Sequence, residues 1–165
     1  MKPSPGVALW APFFHQLKIK RVLDLGAGNL RNSLYLRQLG YRVLAADLPG
    51  QLAKLTLPPG LDGLVTLGLL DQSRLQVDLI LCTYVFNILT SPQRKALLRQ
   101  VSSNLKPGGF LFLELRRKGP HARLNSFSGG ELWGLLEPWG FRPWAASWGF
   151  RWLVTLFKQE GRPRW

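Results

Sequence analysis

The chain has 165 residues, of which 46% are hydrophobic, so it can bury the core of one ordinary domain without disulfides. Its one cysteine, Cys82, excludes an intramolecular disulfide and favours a cytoplasmic location, and no apolar run predicts a signal peptide or a membrane span. The 22 lysines and arginines outnumber 9 acidic residues, and this net charge of +13 fits either an anionic partner such as nucleic acid or an ordinary solvated surface.

Strands and helices are predicted to alternate along the chain. The strands are short apolar runs, at residues 21–25, 41–46, 64–69, 78–83 and 110–115. The helices have apolar residues at helical spacing or begin at capping residues, and they lie at 29–39, 51–57, 92 to about 105, and 128–139. Ser91 is expected to cap the third helix, while Ser128 and Glu131 form the capping box of the last. Two final strands, 141–147 and 151–157, have no helix between them, so we expect them to pair antiparallel.

This order predicts an α/β fold, a Rossmann-like three-layer sandwich with a mostly parallel seven-stranded sheet and an antiparallel C-terminal strand pair. We expect one domain over 1–165, with an N-terminal helical segment at 1–18, a cofactor-binding half at 19–90 and an acceptor-side half at 91–165. Ligands of such sheets bind beyond the carboxyl ends of the strands, so the functional residues should follow strands in the sequence.

A glycine turn is the strongest local signal. The run L-D-L-G-A-G-N, at 23–29, ends a predicted strand and opens a predicted helix. Gly26 permits a tight turn, and Gly28 lets a ligand approach the backbone without a Cβ in the way. Arg31 stands where a dinucleotide-binding turn has its third glycine, which argues against an NAD-dependent enzyme.

Three carboxylates support a nucleotide-type ligand at this turn. Asp24 lies in the turn's own strand, Asp47 ends the second strand, and Asp71 follows the third. A carboxylate at the end of the second strand can accept both hydrogen bonds from a ribose diol, and Asp71 could meet an adenine amino group. A lone G-x-G would predict no more than a tight turn, but these three strand-end acids make that interpretation the weaker one.

The motifs D-L-G-A-G-N, A-A-D and L-K-P-G-G-F-L resemble those of the class I S-adenosylmethionine-dependent methyltransferases, over roughly Val22 to Phe157. The segment G-N-L-R-N-S-L-Y-L-R-Q-L-G-Y is also similar to the small tellurite and thiopurine methyltransferases. The resemblance implies an enzyme with S-adenosylmethionine as cofactor, its methionine part at the glycine turn, its ribose at Asp47 and its adenine at Asp71. The cofactor-binding residues it implies are Asp24, Gly26, Gly28, Asn29, Asp47, Leu48 and Asp71.

Residues after the fourth strand should lie at the methyl end of the cofactor. Tyr84 and Asn87 are predicted to position the acceptor, although packing beside the sheet edge would explain them equally well. Residues 81–89 contain no carboxylate base, so we expect an acceptor that is already nucleophilic near neutral pH, such as a thiolate, a chalcogen oxyanion or a ring nitrogen. Cys82 is expected to be a buried structural thiol, and His15 a surface or packing residue rather than a base.

The acceptor itself stays open between a small molecule and nucleic acid. Arg116, Arg117 and Lys118 follow the fifth strand, where they form either a basic rim for an anionic acceptor or a solvated loop. No metal site is predicted, and the protein is expected to be a monomer or a homodimer without membrane contact. The alternative function is a noncatalytic cofactor-binding or nucleic-acid-binding protein with the same fold.

Overall fold

The computed structural model describes residues 2–116, 126–149 and 152–161, and its centre is one seven-stranded sheet in the order β3-β2-β1-β4-β5-β7-β6. The strands are β1 Arg21–Leu25, β2 Arg42–Asp47, β3 Gly63–Thr66, β4 Val77–Thr83, β5 Leu105–Arg116, β6 Phe141–Trp148 and β7 Trp152–Gln159. The first five strands pair in parallel, whereas β7 runs antiparallel to both β5 and β6. This topology confirms the predicted sheet and its antiparallel C-terminal pair.

Helices cover both faces of the sheet. The α-helices are α1 Pro5–Trp10, α2 Arg31–Gln38, α3 Pro49–Leu52, α4 Ser91–Asn104 and α5 Gly129–Leu136. One face is buried by α1, the following 3₁₀ segment and α2, through Val7, Phe14 and Leu36. The other face is buried by α4 and α5, through residues such as Leu97 and Leu132. Two cores on either side of one sheet make the three layers that the sequence predicts.

Side chains of β5 point alternately into the two cores. Phe112 lies on the α1 side, where its ring meets that of Phe14 edge to face at 5.8 Å between centroids. Leu111 and Leu113 point to the opposite side and belong to the core under α4 and α5. Successive strand residues face opposite sides of a sheet, so a strand that is covered on both faces is apolar at nearly every position.

The third strand is shorter than predicted. It ends at Thr66, and residues 67–71 form a 3₁₀ turn instead of continuing the strand to residue 69. The turn buries Leu70 completely, and the Gln100 side chain of α4 donates to the Leu67 carbonyl at 3.2 Å. Contact with α4 therefore overrides the local strand preference of this apolar run.

One of the two predicted helix N-caps is observed, and the other lies one residue earlier than predicted. Ser128 and Glu131 form the predicted capping box, with the Glu131 amide donating to Ser128 Oγ at 3.3 Å. The prediction of Ser91 as a cap is wrong, because α4 already includes Ser91 and its N-cap is Thr90, whose backbone is extended. Gln93 supports that cap by accepting from the Thr90 amide at 2.8 Å. None of the described helices is long and apolar enough to cross a membrane.

Candidate active site

The glycine turn adopts the conformation that its sequence predicts. Gly26 has a φ of 75° directly after β1, and the amides of Gly26 and Ala27 both donate to the Ala46 carbonyl of β2, at 2.8 and 3.1 Å. Gly28 has a φ of 56°, and a Cβ built on it would meet no atom within 4 Å. The chain enters α2 through Leu30, which is itself left-handed. The turn thus presents open backbone at the carboxyl edge of the sheet.

Asp47 joins the second strand to this turn. Its Oδ2 accepts from the Gly28 amide at 2.7 Å and its Oδ1 from the Leu48 amide at 2.7 Å, while Gln51 Nε2 donates to the Gly28 carbonyl at 3.1 Å. Each carboxylate oxygen has a further lone pair, so the half-buried group can still accept from a diol. Leu48 is 61% exposed beside it and offers an apolar surface at the same edge.

Asp24 is a fully buried carboxylate behind the turn. Its Oδ2 accepts from Ser33 Oγ at 2.6 Å, but its Oδ1 is buried without a hydrogen-bond partner among the described residues. Burial raises the pKa of Asp24 to about 6, with a smaller contribution from the Asp47 charge, against the lowering effects of the Ser33 hydrogen bonds and Arg31. A buried acceptor without a partner is costly, so this oxygen is suited to receive a donor from a ligand.

Tyr84 contacts a carboxylate that the sequence analysis missed. Parallel pairing of β4 with β5 places Thr83 opposite Glu114, and the Tyr84 hydroxyl donates to Glu114 Oε1 at 2.8 Å. The Tyr84 amide also donates to the Glu114 carbonyl at 2.7 Å, and Tyr84 holds a left-handed φ of 59°. Burial, together with the Glu114 hydrogen bond and charge, raises the pKa of Tyr84 well above its usual value, so the phenol stays neutral.

This contact adds a carboxylate that the absence of acids from residues 81–89 did not suggest. Residues 81–89 do contain none, but sheet pairing brings Glu114 to the same place from 30 positions along the chain. A signal for it exists in the sequence, because Glu114 is the one ionisable residue in the apolar run 110–115. An ionisable side chain in a strand that is covered on both faces is rarely there for packing.

Glu114 also holds the N-terminal segment against the sheet. It is fully buried, and besides Tyr84 it accepts from Ser4 Oγ at 2.5 Å and from the Gly6 amide at 3.1 Å. The Ser4 amide donates to Asn32 Oδ1 at 2.8 Å, and Asn32 Nδ2 can donate to Thr83 Oγ1 at 3.0 Å. The start of α1, the first turn of α2 and the ends of β4 and β5 therefore share one hydrogen-bond network.

Asn87 and Arg116 lie together at the end of β5. Asn87 is 3% exposed, and its Oδ1 accepts from the Arg116 amide at 3.1 Å. This contact fits the packing interpretation of Asn87, and its role in positioning an acceptor stays a prediction. Arg116 is exposed at the carboxyl edge, as a rim residue should be. The other two predicted rim residues, Arg117 and Lys118, lie outside the described residues.

Asp71 and Asn29, the other two polar residues predicted to bind the cofactor, are both exposed and contact neighbouring residues. Asp71 is exposed at the end of the 3₁₀ turn after β3, and its Oδ1 accepts from Gln100 Nε2 of α4 at 3.0 Å. Its predicted contact with adenine stays a prediction, since the turn directs it toward α4. Asn29 is exposed between Gly28 and α2, and its Oδ1 accepts from the Arg31 amide at 3.4 Å.

Two further side chains behave as structural residues. Cys82 is fully buried, and burial together with the nearby Asp24 charge raises the pKa of its thiol, so it does not ionise. His15 stacks on Tyr41 at 4.4 Å between ring centroids and 16° between planes. Because Tyr41 directly precedes β2, this pair lies at the amino end of the sheet, opposite the glycine turn.

The family of the chain follows from its whole sequence. Residues 7–151 match the family model described as methyltransferase domain, so the chain belongs to this family. Together with the seven-stranded fold, this confirms the resemblance to the class I methyltransferases. The finer resemblance to the tellurite and thiopurine enzymes stays a prediction.

Two curated relatives and one solved structure describe the neighbourhood of the chain. A cypemycin N-terminal methyltransferase from Streptomyces is 28% identical over 149 residues, covering 74% of this chain and 55% of that protein. A ubiquinone biosynthesis O-methyltransferase from Xanthomonas oryzae is 31% identical over 128 residues, covering 73% and 53%. The chain thus spans about half the length of the curated relatives it matches.

The solved structure is that of Burkholderia thailandensis 1,6-didemethyltoxoflavin-N1-methyltransferase, with 1,6-didemethyltoxoflavin and S-adenosylhomocysteine bound. It superposes with a TM-score of 0.77 at 23% identity, covering 96% of this chain and 78% of that chain. At 23% identity this likeness demonstrates the shared fold alone.

Proposed function

We propose that the protein transfers a methyl group from S-adenosylmethionine to a small-molecule acceptor at the carboxyl edge of β1, β2 and β4. The observation that carries this proposal is the open glycine turn, where Gly28 leaves free space, Asp47 retains acceptor positions and Asp24 has a buried oxygen without a partner. Membership of the methyltransferase family supports the same conclusion. The noncatalytic alternative is not favoured, because the relatives described above are all named as methyltransferases.

The residues of the turn fit the chemistry of this cofactor. Asp47 would accept from the ribose hydroxyls, Leu48 would cover the adenine, and the turn with Asp24 would face the charged amino-acid part. S-adenosylmethionine supplies a methyl group already activated by its sulfonium, so the chain's residues have mainly to hold the acceptor near it and exclude water. We place Tyr84 at the acceptor, with Asn87 supporting the adjoining end of β5.

The small-molecule acceptor is supported by the relatives. The solved relative holds 1,6-didemethyltoxoflavin, and the Xanthomonas relative is named for ubiquinone biosynthesis. We place this acceptor beside Tyr84 and the N-terminal segment, both of which hydrogen-bond to Glu114.

Replacing Asp47 by asparagine tests the cofactor site. The change removes the charge that strengthens hydrogen bonds from the ribose, so the affinity for S-adenosylhomocysteine should fall roughly 10- to 100-fold. Isothermal titration calorimetry measures it, and the same titration with NAD should show weaker binding to the unaltered protein. Binding of NAD as tight as that of S-adenosylhomocysteine would contradict the proposed cofactor.

Asp62→Asn is the matched control for the lost charge. Asp62 precedes β3 at the opposite edge of the sheet, where it pairs with Arg42 at 3.1 Å. Because this surface pair is remote from the glycine turn, its loss should leave the affinity for S-adenosylhomocysteine unchanged.

A nucleic-acid acceptor is the second candidate, and the net charge of +13 favours it. Binding to a polyanion releases counterions, so the affinity for RNA or DNA should fall steeply with salt. If the predicted rim carries this binding, changing Arg116, Arg117 and Lys118 together to alanine should make the slope of log affinity against log salt shallower by up to about 3.

A second triple variant separates the rim from general charge. Arg74, Lys95 and Arg99 are exposed beside the face of α4, and their joint replacement by alanine removes the same charge. Filter binding should show a smaller change for this variant than for the rim variant. Equal changes in the two variants would indicate nonspecific attraction to the positive charge. If the protein binds neither RNA nor DNA at low salt, the nucleic-acid acceptor is excluded and the small-molecule acceptor remains.

A further inference from the structure

We propose that the acceptor carries a hydrogen on its nucleophilic atom, as a neutral amine does, and that Glu114 selects it by holding the Tyr84 hydroxyl in one orientation. This inference rests on the proposed function, since it places the acceptor beside Tyr84. Glu114 is then a positioning residue, and Tyr84 is the group that contacts the acceptor.

The direction of the hydrogen bond between Tyr84 and Glu114 follows from the other group that contacts the same carboxylate oxygen. The Gly6 amide can only donate, and it meets Oε1 at 3.1 Å, the same oxygen that receives the Tyr84 hydroxyl at 2.8 Å. Ser4 Oγ meets the other oxygen at 2.5 Å. Because Oε1 already accepts from a group that can only donate, the Tyr84 hydroxyl that shares this oxygen donates to it. The Tyr84 proton therefore points at Glu114.

A phenol has one hydrogen, so this orientation decides what Tyr84 can offer a ligand. With its O–H committed to Glu114, the oxygen has only lone pairs left and can only accept a hydrogen bond. Tyr84 is half-buried and does not deprotonate readily, because burial and the Glu114 carboxylate raise its pKa. An acceptor that presents N–H satisfies this oxygen, whereas a thiolate or a tertiary amine leaves two acceptors facing each other.

The backbone supports the same orientation. Tyr84 keeps a left-handed φ of 59°, an uncommon conformation for a residue with a side chain, and its amide donates to the Glu114 carbonyl. Two contacts to one residue, one from the amide and one from the hydroxyl, hold the ring in a single position. Glu114 is fixed in turn by the Ser4 and Gly6 contacts. The hydroxyl group of Tyr84 is therefore not free to rotate.

The test reads the Tyr84 hydroxyl directly. The chain has three tyrosines, so protein labelled with ¹³C at tyrosine Cζ gives three NMR signals, and Tyr84→Phe identifies the one from Tyr84. The protein is first saturated with S-adenosylhomocysteine and then titrated with aniline, N,N-dimethylaniline or thiophenolate. Aniline should shift the Tyr84 signal more than the other two, which carry no hydrogen on the nucleophilic atom.

Glu114→Ala tests the orientation of the hydroxyl. Without the carboxylate the Tyr84 O–H can turn outward and donate, so N,N-dimethylaniline, which can only accept, should bind up to about tenfold more tightly than to the unaltered protein, by one gained hydrogen bond. Glu114→Gln is the conservative control and should keep the preference for aniline, because its amide oxygen can still accept from the Gly6 amide and the Tyr84 hydroxyl while its Nε2 donates to Ser4 Oγ. A merely structural role of Glu114 would weaken both probes alike. Tyr84→Phe, which leaves Glu114 with its Ser4 and Gly6 donors, should bind both probes equally.

The outcomes separate this inference from the proposed function. Failure to bind S-adenosylhomocysteine would overturn the proposed function, and the acceptor inference with it. Normal cofactor binding with no aniline response, with equal responses to aniline and N,N-dimethylaniline, or with selectivity kept in Tyr84→Phe would overturn the acceptor inference alone.

Discussion

Gly26→Ala is expected to remove cofactor binding and to destabilise the fold. Gly26 has a φ of 75°, which costs an L-residue about 1–2 kcal/mol, and its new Cβ would lie 2.3 Å from Val85 Cγ2. Relieving that overlap displaces the segment after β4, at a further cost of about 1–3 kcal/mol. Urea unfolding measures the stability, and calorimetry should show affinity for S-adenosylhomocysteine lowered by about 100-fold or more, because the displaced segment distorts the turn at which we propose that the cofactor binds.

Gly28→Ala is the matched control for the steric part of this prediction. Gly28 is also left-handed, but a Cβ there would meet nothing within 4 Å. We expect it to lose only about 1 kcal/mol of stability, from the backbone conformation alone. Its cofactor binding should still fall, because the methyl group would enter the space proposed for the cofactor. Equal destabilisation by the two substitutions would refute the argument from the Val85 contact, and Val85→Ala should partly rescue Gly26→Ala.

Asp24→Asn is expected to stabilise the free protein at neutral pH while weakening cofactor binding. The pKa of Asp24 is raised to about 6 in the folded protein from 3.8, so folding favours its protonated form. Stability is complete below pH 3.8, falls as pH rises toward 6, and stays lower by about 3 kcal/mol above it. Asparagine carries no charge, so the difference between variant and unaltered protein should grow over this pH range, to about 1–3 kcal/mol after the cost of burying the amide.

The affinity of Asp24→Asn for S-adenosylhomocysteine tests the proposed role of Asp24 in cofactor binding. Replacing the orphaned Asp24 oxygen by an amide removes the anion proposed to face the charged end of the ligand. The affinity for S-adenosylhomocysteine should therefore fall by about tenfold or more, even though the free protein is more stable. A variant that is less stable at every pH would show that the Asp24 charge is already compensated in the free protein.

Asp78→Asn supplies a control of opposite sign. Burial alone would raise the pKa of Asp78, but hydrogen bonds from Lys106 and from the amides of Arg21 and Lys20 outweigh it and lower the pKa. This carboxylate therefore contributes stability above its unfolded pKa, and that contribution is lost as pH falls through its folded pKa. Asp78→Asn should destabilise the protein at neutral pH, with no effect on cofactor affinity.

Local signals in the sequence were sufficient for much of the fold. The apolar runs predicted the strands, and Gly26 and Gly28 predicted the turn, because both kinds of structure depend mainly on residues that are close in the sequence. Boundaries were less accurate where another element intervened. Gln100 and Leu70 draw residues 67–71 into a 3₁₀ turn against α4, which the apolar pattern of that run could not reveal.

The segment that follows β4 shows the limit of local patterns. The contacts of Glu114 with Tyr84 and Ser4 join positions 30 and 110 residues apart. Glu114 is visible in the sequence as a charge in an apolar strand, but its partner depends on which strand β5 pairs with and in which register. Register is a property of the assembled sheet, and shifting it by one residue would turn Glu114 to the other face.

The sequence by itself determined the order of the strands along the chain and the glycine turn after β1, because each of these is written within a few consecutive residues. Only the tertiary structure decided that a buried glutamate stands behind Tyr84 and that the N-terminal segment is held by the same group. The physical reason is that hydrogen bonds between distant segments form only after parallel pairing of β4 with β5 has placed Thr83 beside Glu114.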